Sequence, residues 1–170
     1  MRLRTFAGPM NTPDAAYTAS VEQLKRLIVI YRSKYTASHY TIIWHTSLLY
    51  TANAMLHSTD ETRLTYFLIC LYSYEGLSQS FRITEAIVRA LLSMALQNGV
   101  ITAALARRVL RDLHKTAPRG HDSEEMIRAP FIVDLDQAIS APESATVESH
   151  AATYEENAML RDYTSLFDVD

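Results

Sequence analysis

The sequence has little cysteine and little glycine, and both shortages exclude whole classes of protein. Cys70 is the single cysteine in 170 residues, so no disulfide forms within the chain and no cysteine-based zinc site or zinc cluster is available. Cys70 lies in an apolar run and is interpreted as a small buried hydrophobe. With four glycines and neither a Walker loop nor a GxGxxG pattern, the chain is not expected to cradle phosphates.

Catalytic and metal-binding motifs are also missing. No two of the six histidines are spaced i, i+3 or i, i+4, and neither HExxH nor GxSxG occurs. We therefore predict no catalytic, metal-binding or cofactor-binding residue, and no enzyme. Glu75 follows a strongly apolar run and is expected to form an ion pair with Arg82. A tight cluster of Glu75, Arg82 and His45 around a deep pocket would instead favour a small helical enzyme or ligand-binding protein.

Long apolar stretches of membrane-spanning character are lacking. Residues 35–59 contain no Asp, Glu, Lys or Arg, but they carry three histidines, Asn53 and several Ser and Thr on a helical period. A spanning helix needs about 20 predominantly apolar residues, so this stretch is interpreted as a helix of a soluble protein. Residues 1–10 contain two arginines without an apolar run and do not resemble a secretory signal.

The chain is organised around residues 61–99, where two apolar helices are predicted with almost no break between them. Helical spacing places apolar side chains on most sides of both segments: Leu64, Phe67, Leu68 and Leu71, then Ile83, Ile87, Leu91, Met94 and Ala95. Glu85, Arg89 and Ser93 form a narrow polar stripe on the second helix. Helices this apolar are buried in a larger protein or an assembly.

Three more helices are predicted around this pair, at residues 20–35, 39–57 and 102–115. Ser20 and Gln23 have the form of a capping box, Thr102 is placed to cap the last helix, and Gly99 is placed to end the one before it. The predicted fold class is all-α, with about five helices packed as antiparallel neighbours. The predicted organisation is an irregular segment at 1–19, a helical domain at 20–116 and a largely disordered acidic tail at 117–170, with a short helix at 157–168.

Charge is divided unevenly along the chain. Residues 1–119 hold 14 Lys/Arg and 7 Asp/Glu, a net of +7, whereas residues 120–170 hold 2 and 12, a net of −10. The C-terminal stretch also loses helical periodicity and is too polar to fold alone. Such asymmetry suggests an interaction tail, or contact between the tail and the body.

Two candidate interaction sites follow from this pattern. In the tail, four bulky apolar residues among acids are spaced for one helical face and are typical of a segment that enters a partner's groove: Leu160, Tyr163, Leu166 and Phe167. The competing interpretation is that this segment packs back on its own basic body. A basic patch near the end of the last predicted helix comprises Arg107, Arg108, Arg111 and Lys115. These cations interact favourably with the C-terminal end of the helix dipole, or else they bind an acidic partner or nucleic acid.

The order of residues also resembles a known family. The stretches QLKRLIVIYRSKY, TIIWHTSLLYTANAML, FLICLYSYEGLSQSFRITEAIVRALLSMALQNGVI and ARRVLRDL, within about residues 21–115, are similar to the distal part of the fungal-specific transcription factor domain. That domain is the helical middle region of fungal zinc binuclear-cluster regulators, and the sequence is similar to the variant found in the nitrate-assimilation type. The six-cysteine DNA-binding cluster of those regulators and the proximal half of their middle region do not occur in this sequence.

The resemblance implies a regulatory part of a fungal transcription factor, without the family's zinc and without DNA contacts of its own. Nuclear localisation and protein partners, either the transcription machinery or a second copy, are implied as well. The sequence then corresponds to a C-terminal portion of such a regulator. The alternatives are a helical interaction module unrelated to transcription, or the small ligand-binding protein or enzyme described above.

Overall fold

Seven α-helices make up the part of the chain that the structure describes. The computed structural model describes residues 13–35, 42–78, 81, 83–116 and 131–167. No β-strand occurs within these ranges, so the predicted all-α class is confirmed. In chain order the helices are α1 (Pro13–Lys34), α2 (Ile42–His57), α3 (Arg63–Ser78), α4 (Thr84–Gln97), α5 (Ala103–Thr116), α6 (Val147–Ala152) and α7 (Tyr154–Phe167).

Helix α4 lies at the centre of this arrangement. It packs against α2, α3, α5, α6 and α7, and ten of its fourteen residues are buried. From α1 to α5, each helix also packs against the next one along the chain. Burial of apolar side chains, at about 25 cal/mol per Å² removed from water, drives this arrangement. The largest fully buried side chains in the core include Tyr74, Tyr154, Phe67, Ile28, Leu48 and Met55.

The starts of α3 and α5 follow from capping residues visible in the sequence. The Asp60 carboxylate accepts the Thr62 backbone N–H at 2.9 Å and the Thr62 hydroxyl at 2.8 Å at the beginning of α3. The Thr102 hydroxyl accepts the Leu105 N–H at 3.3 Å, as predicted for the start of α5. The bonds from the Thr62 and Leu105 N–H groups satisfy backbone donors that have no partner inside the helix.

Helix α4 ends at Gly99 in a Schellman arrangement, as its sequence predicts. The Gly99 N–H donates to the Leu96 carbonyl, and the Val100 N–H donates to the Ala95 carbonyl at 2.9 Å. Gly99 has φ = 66°, a left-handed conformation that a side chain disfavours. The Arg161 guanidinium of α7 lies directly over Gly99, in space that a Cβ atom would need. The end of α4 is thereby packed against α7.

A buried lysine joins α1 to the start of α3. Lys25 is only 3% exposed, and its ammonium donates to Asp60 at 2.8 Å and to Glu22 at 2.7 Å. It also lies 5.0 Å from the centre of the Tyr66 ring. Burial acts to lower the pKa of Lys25, but the hydrogen bonds to both carboxylates outweigh burial and raise it. The same ammonium is the main cause that lowers the pKa of Asp60.

Helix α1 begins earlier than the sequence predicts. The irregular segment expected at 1–19 is corrected over 13–19, because α1 starts at Pro13; residues 1–12 lie outside the described ranges. Proline is favoured in the first turn of a helix, where its missing N–H is not needed. The Ser20 hydroxyl donates to the Ala16 carbonyl at 2.8 Å inside the helix, so the predicted capping box does not form.

The expected disordered tail at 117–170 is corrected over residues 131–167, which we call the acidic segment. It holds seven Asp/Glu and one Arg, and its backbone runs through an isolated bridge between Ile132 and Thr146 before α6 and α7. Thr146 caps α6 by accepting the Ser149 N–H. Buried side chains anchor this segment to the body: Val133, Ala145, Val147, Tyr154 and Ala158. It does not fold alone, as its composition indicates, but against α4.

The short helix predicted at 157–168 is present as α7, from Tyr154 to Phe167. It is neither disordered nor isolated, since it packs against α4, α5 and α6. Residues 117–130 and 168–170 lie outside the described part of the chain. The count of about five helices becomes seven within the described ranges, and the two additional helices are both in the acidic segment.

Two tyrosines of α7 test whether this helix is docked in solution. Tyr154 is 1% exposed and Tyr163 is 60% exposed. We expect Tyr154→Ala to lower the free energy of unfolding by about 3 kcal/mol, because it leaves a large cavity. Tyr163→Ala is the matched control and is expected to change it by less than about 0.5 kcal/mol. Urea unfolding followed by circular dichroism measures both, and equal small effects would mean that α7 is undocked.

Gly99→Ala tests the junction between α4 and α7. The left-handed conformation alone costs an L-residue about 1 kcal/mol, and the added methyl group also displaces the Arg161 guanidinium. We expect a loss of about 1–2 kcal/mol in the same unfolding experiment. Combining Gly99→Ala with Arg161→Ala separates the two causes, because the second change removes the clash and leaves the backbone strain. An additive result for the pair would show that Arg161 does not pack on Gly99.

Candidate protein-interaction surface

Helix α7 has a buried face and an exposed apolar face. Tyr154 and Ala158 are buried against the body, whereas Met159, Leu160 and Tyr163 are 56%, 56% and 60% exposed. The last three residues form what we call the outer face of α7, because their spacing of three and four residues places them side by side. A docked helix of a small protein usually turns polar residues outward, so an apolar outer face is unusual.

The structure places two of the four predicted partner-binding residues on this outer face. Leu160 and Tyr163 are both on it and both exposed, with Met159 beside them. Leu166 and Phe167 belong to the last turn of α7, but their side chains lie outside the described part of the structure. Of the four predicted residues, the structure therefore describes the side chains of Leu160 and Tyr163.

The buried face of α7 and the turn before it are held by a polar network on α4. Ser93, which is fully buried, accepts a hydrogen bond from the Asn157 amide at 2.8 Å, and its hydroxyl lies 3.1 Å from that of Thr153. Arg89 lies 3.9 Å from the Glu155 carboxylate and also pairs with Glu85 at 3.1 Å. The polar stripe seen on α4 in the sequence is thus the docking site of the acidic segment.

The predicted basic patch on α5 is largely occupied by carboxylates of the same chain. Arg107 pairs with Asp162 of α7 at 2.5 Å, and this hydrogen bond raises the pKa of the guanidinium. Arg108 and Lys115 both pair with Asp112, at 3.8 and 3.0 Å. Arg111 is exposed. Contact between the acidic segment and the basic body, the competing interpretation of the tail, is therefore present at Arg107.

Asn53 of α2 fixes the start of the acidic segment. Its buried amide donates to the Val133 carbonyl at 2.9 Å, and its carbonyl accepts the Leu135 N–H at 3.1 Å. These two bonds satisfy backbone groups of a stretch that has no helix or sheet of its own. Asn53 is the one amide side chain of α2, and nothing in its spacing would reveal its partner.

Two histidines contact carboxylates of the acidic segment. His57 of α2 lies 2.8 Å from the Asp136 carboxylate. His150 of α6 is buried with its Nε2 atom 3.6 Å from the Asp134 carboxylate, and this nitrogen has no hydrogen-bond partner among the described residues. Burial lowers the pKa of His150, and the neighbouring Asp134 offsets only part of that effect. His150 is therefore neutral at pH 7.

A small cavity beside His45 bears on the ligand-binding alternative. It is lined by His45, Tyr74, Leu77 and Phe131 among others, and its volume of about 20 Å³ suits roughly one water molecule. Pockets for small molecules are about 300–1,000 Å³. Glu75 is not among its lining residues and Arg82 lies outside the described ranges, so the cluster that would favour an enzyme or ligand-binding protein is not assembled around it.

His45 and Tyr74 form a hydrogen-bonded pair at the floor of this cavity. His45 Nδ1 lies 2.9 Å from the Tyr74 hydroxyl. Burial lowers the pKa of His45 and raises that of Tyr74 well above its usual value, so both groups are neutral at pH 7. The pair satisfies a buried phenol and holds α2 to α3; a neutral tyrosine of raised pKa is not an activated nucleophile or base.

The described residues offer no grouped metal ligands and no membrane-spanning helix. Across 13–35, 42–78, 81, 83–116 and 131–167, no three His, Cys, Asp or Glu side chains are grouped as metal ligands would be. None of the seven helices has the length and apolar character required to cross a bilayer. Burial raises the pKa of the Cys70 thiol to about 12, which keeps it protonated.

Comparisons with known proteins identify no relative of this chain, so the proposed function is argued from the chain's own residues. No protein-family model matches the sequence, and no curated protein and no solved structure is significantly similar to it.

The lowered pKa values of His45 and His150 predict how stability changes with pH. In the unfolded chain both imidazoles bind a proton at about pH 6.5, whereas in the folded protein they bind it only at lower pH. The unfolded state therefore holds more protons below about pH 6.5, and stability is lost as the pH falls through this range. We expect the urea midpoint to be lower at pH 5.5 than at pH 7.5.

The variant His45→Gln with His150→Gln serves as the comparison for this pH series. Without the two imidazoles the midpoint should depend less on pH between these values, even if its absolute value is lower. A wild-type midpoint that rises on acidification, or an equally steep loss in the variant, would contradict the assignment.

Proposed function

We propose that this chain is a non-enzymatic helical module that acts by protein–protein contact, as the regulatory part of a fungal transcription factor in the nucleus. It contributes contacts with protein partners, and it binds neither zinc nor DNA through residues of its own. The outer face of α7 carries this proposal. Met159, Leu160 and Tyr163 are exposed on a helix whose opposite side is buried and hydrogen-bonded.

A preformed helix is well suited to enter a partner's groove. Fourteen residues are marginal as an isolated helix in water. A free segment would have to fold when it binds, and the entropy lost in folding would weaken its affinity for the partner. Docking on α4 removes that cost before the partner arrives. Burial of Tyr154 and Ala158 aims the outer face at solvent without exposing the core.

Charge around the outer face favours a partner with a basic rim. Glu155 and Glu156 begin α7, and both are exposed. Such acids keep an apolar face soluble and steer it towards positive surfaces. An apolar groove bordered by Lys or Arg is therefore the chemistry that this helix fits, as expected of an acidic-hydrophobic activation segment.

The assignment to transcription rests on the resemblance of residues 21–115 to the middle region of zinc binuclear-cluster regulators. Within that region, α2, α4 and α5 contact the acidic segment, which supports a role for the region in presenting α7. The second candidate is a helical interaction module unrelated to transcription. The same outer face favours it, and a transcription readout separates the two.

A reporter experiment tests the proposal with the full chain. We expect residues 1–170 fused to a heterologous DNA-binding domain to activate a reporter, and Leu160→Ala with Tyr163→Ala to reduce that output at least tenfold, since two anchor side chains of about 1–2 kcal/mol each are removed. The matched control is Ile43→Ala with Tyr50→Ala, an apolar pair on α2 that is also more than half exposed.

Two results would count against the proposal. A silent wild-type fusion that is folded and nuclear would refute the transcription assignment and leave the unrelated interaction module. An active fusion that is insensitive to the α7 pair would show that activation does not use the outer face. Circular dichroism of each variant confirms that the fold is retained.

A further inference from the structure

Helix α1 carries a second exposed apolar face, to which no described part of the chain is packed, and its charge is opposite to that of α7. Leu27 and Ile30 are 57% and 47% exposed, on the side of α1 away from buried Ile28. Arg26 and Lys34 are exposed beside them and form no ion pair within the described ranges. At positions i, i+1, i+4 and i+8, these four residues form one surface, which we call the outer face of α1.

The outer faces of α1 and α7 match in pattern as well as in charge. Leu27 and Ile30 are three residues apart, as are Leu160 and Tyr163. Basic residues border the first pair, whereas Glu155 and Glu156 precede the second. Since all four apolar side chains are about half exposed, the two faces do not cover each other within one chain.

We infer that the outer face of α7 in one copy of this chain packs against the outer face of α1 in a second copy. The apolar pairs lie against each other, and Arg26 or Lys34 meets Glu156 at the border. Burial of the apolar pairs supplies the attraction, while opposite charges select the partner surface and orient it. This inference rests on the first half of the proposed function, that the outer face of α7 is a contact surface.

The contact joins two different surfaces, and this determines the type of assembly that the copies form. Each copy offers one α1 face and one α7 face, so association is head-to-tail and extends unless the geometry closes into a ring or a two-fold pair. The interface contains only about eight side chains, which places it at the weak end of protein contacts. Association at tens of micromolar, weakened by salt, is therefore expected.

A mixing experiment with the full chain tests head-to-tail contact. Variant one carries Arg26→Glu with Lys34→Glu and lacks a working α1 face; variant two carries Leu160→Ala with Tyr163→Ala and lacks a working α7 face. In sedimentation velocity, wild type should associate with rising concentration, and each variant alone should associate at least tenfold more weakly. The equimolar mixture should recover a one-to-one complex, because each variant supplies the face that the other lacks.

Two control variants test whether any change of surface charge weakens association. Arg111→Glu on α5 and Glu61→Lys before α3 alter exposed charges that belong to neither outer face and should associate like wild type. A monomeric wild type, a mixture that stays monomeric, or an Arg111→Glu variant as defective as variant one would each overturn the inference. In the last case the basic surface of α5 would be the partner of α7.

The reporter separates this inference from the proposed function. Variant one, fused to the heterologous DNA-binding domain, should still activate the reporter, since its α7 face is intact. Recovery in the mixture with a silent wild-type reporter would support self-association and refute the role in transcription. An active reporter that needs Leu160 and Tyr163, with wild type monomeric, would support the proposed function and refute self-association.

Discussion

The burial of α4 on most of its sides is the constraint on which the rest of the structure depends. A helix with apolar residues on most of its sides must be covered on most of its sides, and α2, α3 and α5 together leave one side open. The acidic segment closes that side with α6 and α7, which bury Val147 and Tyr154. Because Ser93 lies on the same side, the covering segment must also supply hydrogen bonds, which Asn157 and Thr153 provide.

The position of the acidic segment reconciles two properties that conflict in the sequence. Its composition is too polar to build a core, yet its few apolar residues are enough to complete one that the body has left unfinished. Ion pairs such as that between Arg107 and Asp162 add little stability at an exposed site, but they match the acidic segment to the basic body. Burial therefore supplies the energy, and charge supplies the orientation.

The outer face of α7 is the proposed contact surface for two different partners, so these partners compete for it. If the outer face of α7 serves both a second copy and a basic-rimmed partner, the two interactions exclude each other by mass action. At high protein concentration, self-association would then occupy the outer face of α7. Dilution or a stronger partner would free this face. Neither event requires α7 to leave α4, because Tyr154 and Ala158 face the opposite side.

The sequence by itself determined the helices of the body, since apolar spacing and the caps at Asp60, Gly99 and Thr102 are local signals. It also identified Leu160 and Tyr163 as neighbours on one face, because that too depends only on spacing along a helix. Only the tertiary structure decided that residues 131–167 fold and which side of α7 is buried. Those outcomes depend on long-range partners such as Asn53 and Ser93. Ser93 belongs to a polar stripe visible in the sequence, but local spacing does not reveal partners that lie 60 or more residues away.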